Sequence, residues 1–284
     1  MPNPSEEQVI TPRSLREWPL PDPSGGKESR GTVLVVGGSR FTPGAVLLAG
    51  VSALRAGAGR LQLAVDQTTA AALSIAVPEA KVVGLPERDA RLPAELVELA
   101  QSADVLAVGP GLDDIDETTR LIRGLLDVAD KDAAIVLDAY ALGALSNDDS
   151  LIAGRSQRVV LTPNVTEAGH LLGRECGEDL AADARAVAER YDAVVSLHSH
   201  IAAPDGRSWR EESGDAGLGT SGSGDVLAGI VAGLLGRGAE PAQAACWGAY
   251  VHAVSGQRLI PRFGRTGFLA RELVDEVAST IATV

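Results

Sequence analysis

Short apolar runs alternate with longer amphipathic segments along most of the chain. The β-branched run Thr32–Val36 is apolar at nearly every position, which is typical of a strand buried on both faces. Further strands are predicted at Leu61–Val65, Lys81–Gly84, Val105–Val108, Ala134–Leu137, Val159–Leu161 and Ala193–Leu197. Helical spacing predicts helices from Pro43 to about Gly57, after Asp66–Thr69, at Ala94–Gln101, Glu117–Ala129 and Leu180–Arg190, and at about 225–236, 240–258 and 268–281.

Strands and helices that alternate in this way predict an α/β fold, with a mostly parallel central sheet between two layers of helices. Ile201–Ala203 and Arg207–Arg210 flank Asp205-Gly206, which indicates one hairpin. The Pro-rich residues 1–30 are interpreted as an N-terminal arm with no more than a short turn around Ser14–Trp18. Residues 31–284 are expected to form a single domain, because no linker or repeat divides them.

Composition narrows the classes of function. The 284 residues are 45% hydrophobic and 22% charged, which is ordinary globular usage and excludes global disorder. A net charge of −13 argues against a general nucleic-acid binder. No signal peptide or membrane-spanning run is visible, so a cytoplasmic protein is expected. Cys176 and Cys246 lack metal-ligand spacing, and both are expected to be buried thiols.

The segment Gly217–Asp225 carries the sharpest chemical pattern. Four glycines in eight residues precede a long apolar helix, whose first turn offers unpaired N–H groups and a partial positive charge. Such a loop can bind phosphate. Asp225 at its mouth suits a base that takes a proton from an attacking hydroxyl. The alternative is that Asp225 only caps the helix after a flexible loop.

Several segments together resemble one enzyme family. The sequence Gly222-Ser223-Gly224-Asp225 before an apolar helix resembles the ribokinase-like signature. The accompanying segments are GTVLVVGGS at 31–39, PGAVLLAGVSALRAGAG at 43–59, VGPGL at 108–112, VLDAYAL at 136–142 and LTPNVTE at 161–167, with Val251-His252 and TGFL at 266–269 later. Their order and spacing resemble the NAD(P)H-hydrate dehydratase family over roughly residues 27–281.

The resemblance implies a ribokinase-like fold and a repair reaction. Hydrated NADH or NADPH would be phosphorylated on its ring hydroxyl by ADP or ATP with Mg²⁺, and loss of phosphate would regenerate NAD(P)H. It also implies a homotetramer, with NAD(P)H hydrate and nucleotide as its small-molecule partners. The acidic charge and the lack of long apolar runs argue against nucleic-acid and membrane partners. The reaction is physically sensible, because phosphate is a far better leaving group than hydroxide.

The resemblance also implies roles for individual residues. Asp225 would be the base and would contact substrate, and Gly222, Ser223 and Gly224 would hold the transferred phosphoryl group. The remaining expected residues are Ala45, Gly111 and Asn164 for substrate, His198 and Ser199 for nucleotide, and Glu167 with Asp138 for Mg²⁺, indirectly. Each has a plainer alternative as a helix start, a turn, a helix cap or a strand-end residue.

Two positions depart from the family pattern. Asn164 stands where many members have His, and it resembles the sugar-kinase version of the motif. His198-Ser199 stands where the family usually has Lys-Gly, in a chain whose only lysines are Lys27, Lys81 and Lys131. Two other functions therefore stay open: a ribokinase-like kinase of a vitamin precursor or sugar, and a non-catalytic nucleotide-binding protein. His252, within an apolar helix, is interpreted as a satisfied core or interface residue.

Overall fold

The fold is described from a computed structural model, which covers residues 7–22, 24, 26–85, 91–155 and 157–284. Its strands are β1 Gln8–Val9, β2 Thr32–Val36, β3 Arg60–Val65, β4 Ala80–Gly84, β5 Val105–Val108, β6 Ala134–Leu137, β7 Val159–Leu161, β8 Val194–Leu197, β9 His200–Ala202 and β10 Ser208–Arg210. Its helices are α1 Pro12–Glu17, α2 Pro43–Ala56, α3 Ala70–Ala76, α4 Ala94–Ser102, α5 Ile115–Val128, α6 Tyr140–Asn147, α7 Val165–Leu172, α8 Leu180–Tyr191, α9 Ser223–Gly236, α10 Pro241–Phe263 and α11 Ala270–Ile281.

All the described strands join one sheet in the order β1-β10-β9-β8-β7-β6-β5-β2-β3-β4. Strand β9 runs antiparallel to both of its neighbours, and every other pairing is parallel. The predicted α/β class with a mostly parallel sheet is therefore confirmed, and so is the hairpin of β9 and β10. Because β2 to β8 are parallel wherever they pair, their carboxyl ends lie along the same edge.

The two faces of the sheet are covered by different helices. Along β2, Val33 and Val35 face the layer that contains α2, α9, α10 and α11, whereas Leu34 and Val36 face the layer of α4 to α8. All four side chains have no exposed surface. A strand buried on both sides needs apolar residues at every position, which is why the run TVLVV predicts it correctly.

Some elements differ from the sequence predictions. The strand β1 and the bounds of the short helices α6 and α7 were not predicted, and α10 extends to Phe263 with Pro261 in its last turn. Within the expected arm, β1 pairs with β10 and Leu15 of α1 is 2% exposed. Residues 1–6, 23 and 25 of that arm lie outside the described residues.

The cysteine prediction is half wrong. Cys246 is buried, but Cys176 is only half-buried, because it lies in the loop after α7 rather than in the core. Both thiols are free. No helix among the described residues is long and apolar enough to cross a membrane.

Helix α9 lies very close to α2, and glycines make this possible. A Cβ added at Gly229 would lie 2.1 Å from the Ala49 carbonyl oxygen, and one at Gly233 would lie 2.3 Å from that of Ala53. These carbonyl oxygens belong to the backbone of α2, so they could make room for a Cβ only if one of the two helices moved. The two glycines therefore determine how closely α9 can approach α2.

We expect Gly229→Ala to lower the free energy of unfolding by about 1–3 kcal/mol, because the added methyl group overpacks a backbone contact. Urea denaturation measures this change. Gly44→Ala in α2 is the matched control, since nothing lies within 4 Å of its new methyl group. Equal stability of the two variants would contradict this account of the packing.

Candidate functional site

The carboxyl edge of the sheet gathers most of the residues singled out in the sequence. Gly111 follows β5, Asp138 follows β6, Asn164 follows β7 and His198 follows β8. Helix α9 begins near the same edge, since Asp225 in its first turn affects the ionisation of Asp138. The sheet topology therefore brings these loops to the same edge, as expected.

The Gly-rich loop ends in a turn that only glycine adopts easily. Gly222 has φ +86° and is the N-cap of α9, with no side-chain cap. The Ser223 N–H donates to the Thr220 carbonyl oxygen at 3.2 Å, and the Val226 N–H donates to the Gly222 carbonyl oxygen at 3.2 Å. No hydrogen bond among the described residues uses the N–H of Gly224 or Asp225. Unpaired N–H groups at a helix start are a favourable place for an anion to bind.

Asp225 lies in the first turn of α9 and is partly buried. Desolvation raises its pKa from 3.8 to about 6. A carboxylate with this pKa is ionised near neutral pH, yet it is basic enough to accept a proton from an attacking hydroxyl. The expected base and the expected anion site thus share one turn of helix.

Asp138 is a second buried carboxyl group. Its pKa is raised to about 7, chiefly by desolvation and further by the charges of Glu167 and Asp225. The Thr162 hydroxyl donates to its Oδ1 at 2.8 Å. Asp138 is not a helix cap, because the N-cap of α6 is Ala139 and bears no side-chain cap. Thr162 lies within the LTPNVTE segment, but nothing in that pattern singles it out.

Asn164 and Glu167 form a reciprocal cap at the start of α7. The Glu167 N–H donates to Asn164 Oδ1 at 2.9 Å, and the Asn164 N–H donates to Glu167 Oε2 at 2.8 Å. Burial raises the pKa of Glu167. The capping alternative raised in the sequence is therefore present, and it fixes both side chains at the carboxyl edge. Glu167 Oε1 accepts no hydrogen bond within the described part of the chain.

Gly111 and Ala45 meet at the expected substrate side. The loops before α2 and after β5 are joined by hydrogen bonds from Gly38 N–H to Pro110 O at 2.8 Å and from Ser39 N–H to Gly111 O at 2.7 Å. A Cβ at Gly111, where φ is +71°, would lie 2.8 Å from the Cβ of Ala45. Gly111 and Ala45 themselves carry no bulky side chain, so a ligand can approach the backbone closely here.

His198 and Ser199 form the two-residue turn between β8 and β9. His198 is exposed and has φ +57°, a conformation that glycine adopts more easily. The turn lies beside the end of β7 at the carboxyl edge, because β7 pairs with β8. No hydrogen bond among the described residues joins His198 or Ser199 to Asp225 or the Gly-rich loop.

The carboxylates present suit Mg²⁺ that arrives with a nucleotide. Among the described residues, no group of three or more His, Cys, Asp or Glu side chains is placed to hold a metal ion. Mg²⁺ commonly takes one or two protein carboxylates, several waters and substrate phosphates. Glu167, with its free Oε1, and the neighbouring Asp138 fit that limited role.

A family model and several known proteins are similar to this chain over most of its length. The Carb_kinase family model, described as NAD(P)H-hydrate dehydratase, matches residues 33–279. An ADP-dependent (S)-NAD(P)H-hydrate dehydratase of Xanthomonas campestris is 44% identical over 95% of this chain and 94% of that protein. A bifunctional NAD(P)H-hydrate repair enzyme of Moorella thermoacetica is 38% identical over 91% of this chain, which spans only 51% of that longer relative.

Solved structures agree on the fold. An ADP/ATP-dependent NAD(P)H-hydrate dehydratase from Bacillus subtilis, co-crystallised with ATP and Mg²⁺, has a TM-score of 0.82 at 26% identity, covering 98% of this chain and 99% of that one. A ribokinase-like superfamily protein from Enterococcus faecalis has a TM-score of 0.85 at 24% identity, covering 97% and 96%. The predicted ribokinase-like fold is confirmed, and the chain belongs to the NAD(P)H-hydrate dehydratase family.

Proposed function

We propose that this protein dehydrates hydrated NADH or NADPH in a reaction driven by a nucleotide, and so regenerates NAD(P)H. Membership of the dehydratase family supports this function over a kinase of a vitamin precursor or sugar. The observation that carries the proposal is the joining of a base and an anion site in one helical turn. Asp225 and the N–H groups at the start of α9 are the parts that phosphoryl transfer to a hydroxyl requires.

In the first step, the ring hydroxyl oxygen attacks the terminal phosphorus of the nucleotide, and its proton passes to Asp225. The phosphorus–oxygen bond to the rest of the nucleotide breaks, while the N–H groups of Gly222, Gly224 and Asp225 face the charge of the phosphoryl group. For this in-line attack, the protein mainly positions the reacting groups and screens the charge of the phosphates, and it forms no covalent intermediate.

In the second step, the carbon–oxygen bond of the new phosphate ester breaks. The electron pair of the ring nitrogen expels inorganic phosphate, and loss of a proton from the neighbouring ring carbon restores the double bond. Gly111 and Ala45 would lie against the dinucleotide, with Asn164 donating a hydrogen bond from its side-chain amide.

Mg²⁺ would be held by Glu167 and Asp138, through water, together with the nucleotide phosphates, whose charge it neutralises when bound. We take ADP as the donor, because the 44%-identical relative is named as ADP-dependent. His198 and Ser199 are proposed to lie beside the nucleotide. A homotetramer and a cytoplasmic location also stay proposals, and light scattering on the purified protein tests the first.

The deciding assay mixes the purified protein with chemically hydrated NADH and Mg²⁺, with ADP, ATP or neither nucleotide added. We expect the absorbance of reduced nicotinamide to recover with ADP and not without nucleotide. Recovery only with ATP would change the donor and leave the function intact. No recovery with either nucleotide, together with phosphoryl transfer to a small hydroxyl compound, would favour the kinase.

The activity should depend on pH through Asp225. Because the base acts when it is ionised, kcat/KM should be half-maximal near the pKa of about 6, level off at higher pH and fall at lower pH. The decrease should approach about tenfold for each pH unit. A pH profile of kcat/KM measures it, and a profile that stays flat well below pH 6 would remove Asp225 from the role of base.

A further inference from the structure

Three small or polar residues form a stripe along one face of α10. Gly248, His252 and Gly256 are spaced by four residues, so they lie above one another on the helix. A Cβ at Gly248 would lie 2.8 Å from Val231 of α9, and one at Gly256 would lie 2.8 Å from Leu218 in the loop that precedes α9. This face therefore packs tightly on α9 and its entry loop, with His252 between the two glycines.

His252 touches the start of α9 through one ring nitrogen. Its Nε2 lies 3.0 Å from the Ser223 carbonyl oxygen and 2.8 Å from Ser223 Oγ. A carbonyl oxygen can only accept, so the first contact is a hydrogen bond only when Nε2 carries the proton, and we assign this tautomer because it satisfies both contacts. The same N–H then faces Oγ, which accepts it. This tautomer leaves the hydroxyl hydrogen of Ser223 free for another acceptor.

The environment keeps the ring uncharged. His252 is 9% exposed, and desolvation lowers its pKa from 6.5 to about 4, against a smaller opposing effect of the Ser223 backbone. At neutral pH it is a neutral donor. It orients its partner without adding a full positive charge beside the anion site.

The carbonyl contact has a geometric consequence at the site. The Ser223 carbonyl and the Gly224 N–H belong to the same planar peptide unit. Holding the carbonyl oxygen therefore also fixes the direction of the Gly224 N–H, which no described protein group accepts. The Ser223 N–H is already donated to Thr220, so the next peptide unit is where the orientation matters for a bound anion.

We propose that His252 is a positioning residue of the phosphoryl-transfer site. Its Nε2–H holds the Ser223–Gly224 peptide so that the Gly224 N–H faces the transferred phosphoryl group, and it leaves the Ser223 hydroxyl proton available as a second donor. This inference rests on the proposed function of the same loop. His252, which the sequence suggests is a core residue, thus also supports the geometry of the site.

The first test needs no substrate. In ¹⁵N NMR spectra of the wild-type protein, the His252 signals are assigned by their loss in His252→Gln. We expect Nε2 to be protonated, Nδ1 to be unprotonated, and the ring to resist protonation down to about pH 5. Protonation at Nδ1, or titration near the ordinary value of about 6.5, would overturn the proposal. This result stands whether or not the protein dehydrates NAD(P)H hydrate.

The second test separates hydrogen bonding from packing. His252→Leu keeps bulk but loses the donor, whereas His252→Gln keeps an N–H near the position of Nε2. We expect kcat to fall by about 10- to 100-fold in the Leu variant with little change in KM, and to recover largely in the Gln variant. An unchanged kcat in His252→Leu, or equal losses in both variants, would overturn the positioning role.

Ser255→Ala is the matched control on the same helix. Ser255 is fully buried and its hydroxyl bonds Thr280 of α11 at 3.1 Å, away from the Gly-rich loop. It should lower Tm and leave kcat unchanged, which shows that destabilising α10 does not by itself impair turnover. A kcat loss in Ser255→Ala as large as that in His252→Leu would also count against the proposal.

Discussion

Replacement of Asp225 by Asn should lower kcat for the dehydration of hydrated NADH by about 10²–10⁴-fold, with nucleotide binding retained. The amide has the shape of the carboxyl group but cannot take a proton from the attacking hydroxyl. It also removes the negative charge at the mouth of the anion site, so nucleotide should bind at least as tightly. Recovery of the reduced nicotinamide absorbance measures turnover, and calorimetric titration with ADP and Mg²⁺ measures binding.

Asp275→Asn is a suitable control for this substitution. Asp275 is an exposed carboxylate on α11, paired with Arg55 at 3.8 Å, so its loss changes the net charge by the same amount. Its kcat should match that of the wild type. If Asp225→Asn also keeps the wild-type kcat, the base must be another group, and the buried Asp138 is then the next candidate.

Replacement of Gly222 by Ala should reduce kcat by about 10²–10³-fold through loss of the anion site. The residue has φ +86°, and a new Cβ would lie 2.6 Å from the Leu48 side chain and 3.2 Å from the Ala270 Cβ. Left-handed backbone costs a non-glycine residue about 1–2 kcal/mol before any clash. The loop should relax to another conformation and turn its N–H groups away from the phosphoryl group.

Gly219→Ala tests whether the effect is local. Gly219 belongs to the same Gly-rich loop, but it has no positive φ and nothing lies within 4 Å of an added Cβ. Its variant should keep the wild-type kcat and Tm. If the two substitutions reduce kcat equally, loop flexibility rather than the turn at Gly222 governs the activity.

The fold was largely predictable because its strongest signals are local. A strand covered on both faces, such as β2 or β5, needs an unbroken apolar run, and glycines follow the strands where loops turn. Helices α6 and α7 were harder, because eight residues show little periodicity. Strand β1 has two residues and exists only because β10 offers a partner.

The site was less predictable than the fold. The glycines and Asp225 could be recognised from the sequence motif alone. The helix predicted to follow that motif is present as α9. The contact between His252 and Ser223 depends instead on how α10 rotates and how closely it packs, which residues 29 positions apart do not reveal. The Thr162–Asp138 hydrogen bond likewise depends on the lateral register of β6 and β7.

The two-residue strand β1 also bears on how the folded molecule limits aggregation through the edges of its sheet. An unpaired edge strand presents free N–H and C=O groups to the strands of other molecules, and this is a common route to aggregation. Strand β1 occupies that position beside β10, and at the opposite edge β4 carries the exposed Lys81, one of only three lysines. One edge of the sheet thus ends in a strand of only two residues, and the other carries a charge that opposes edge-to-edge pairing with another molecule.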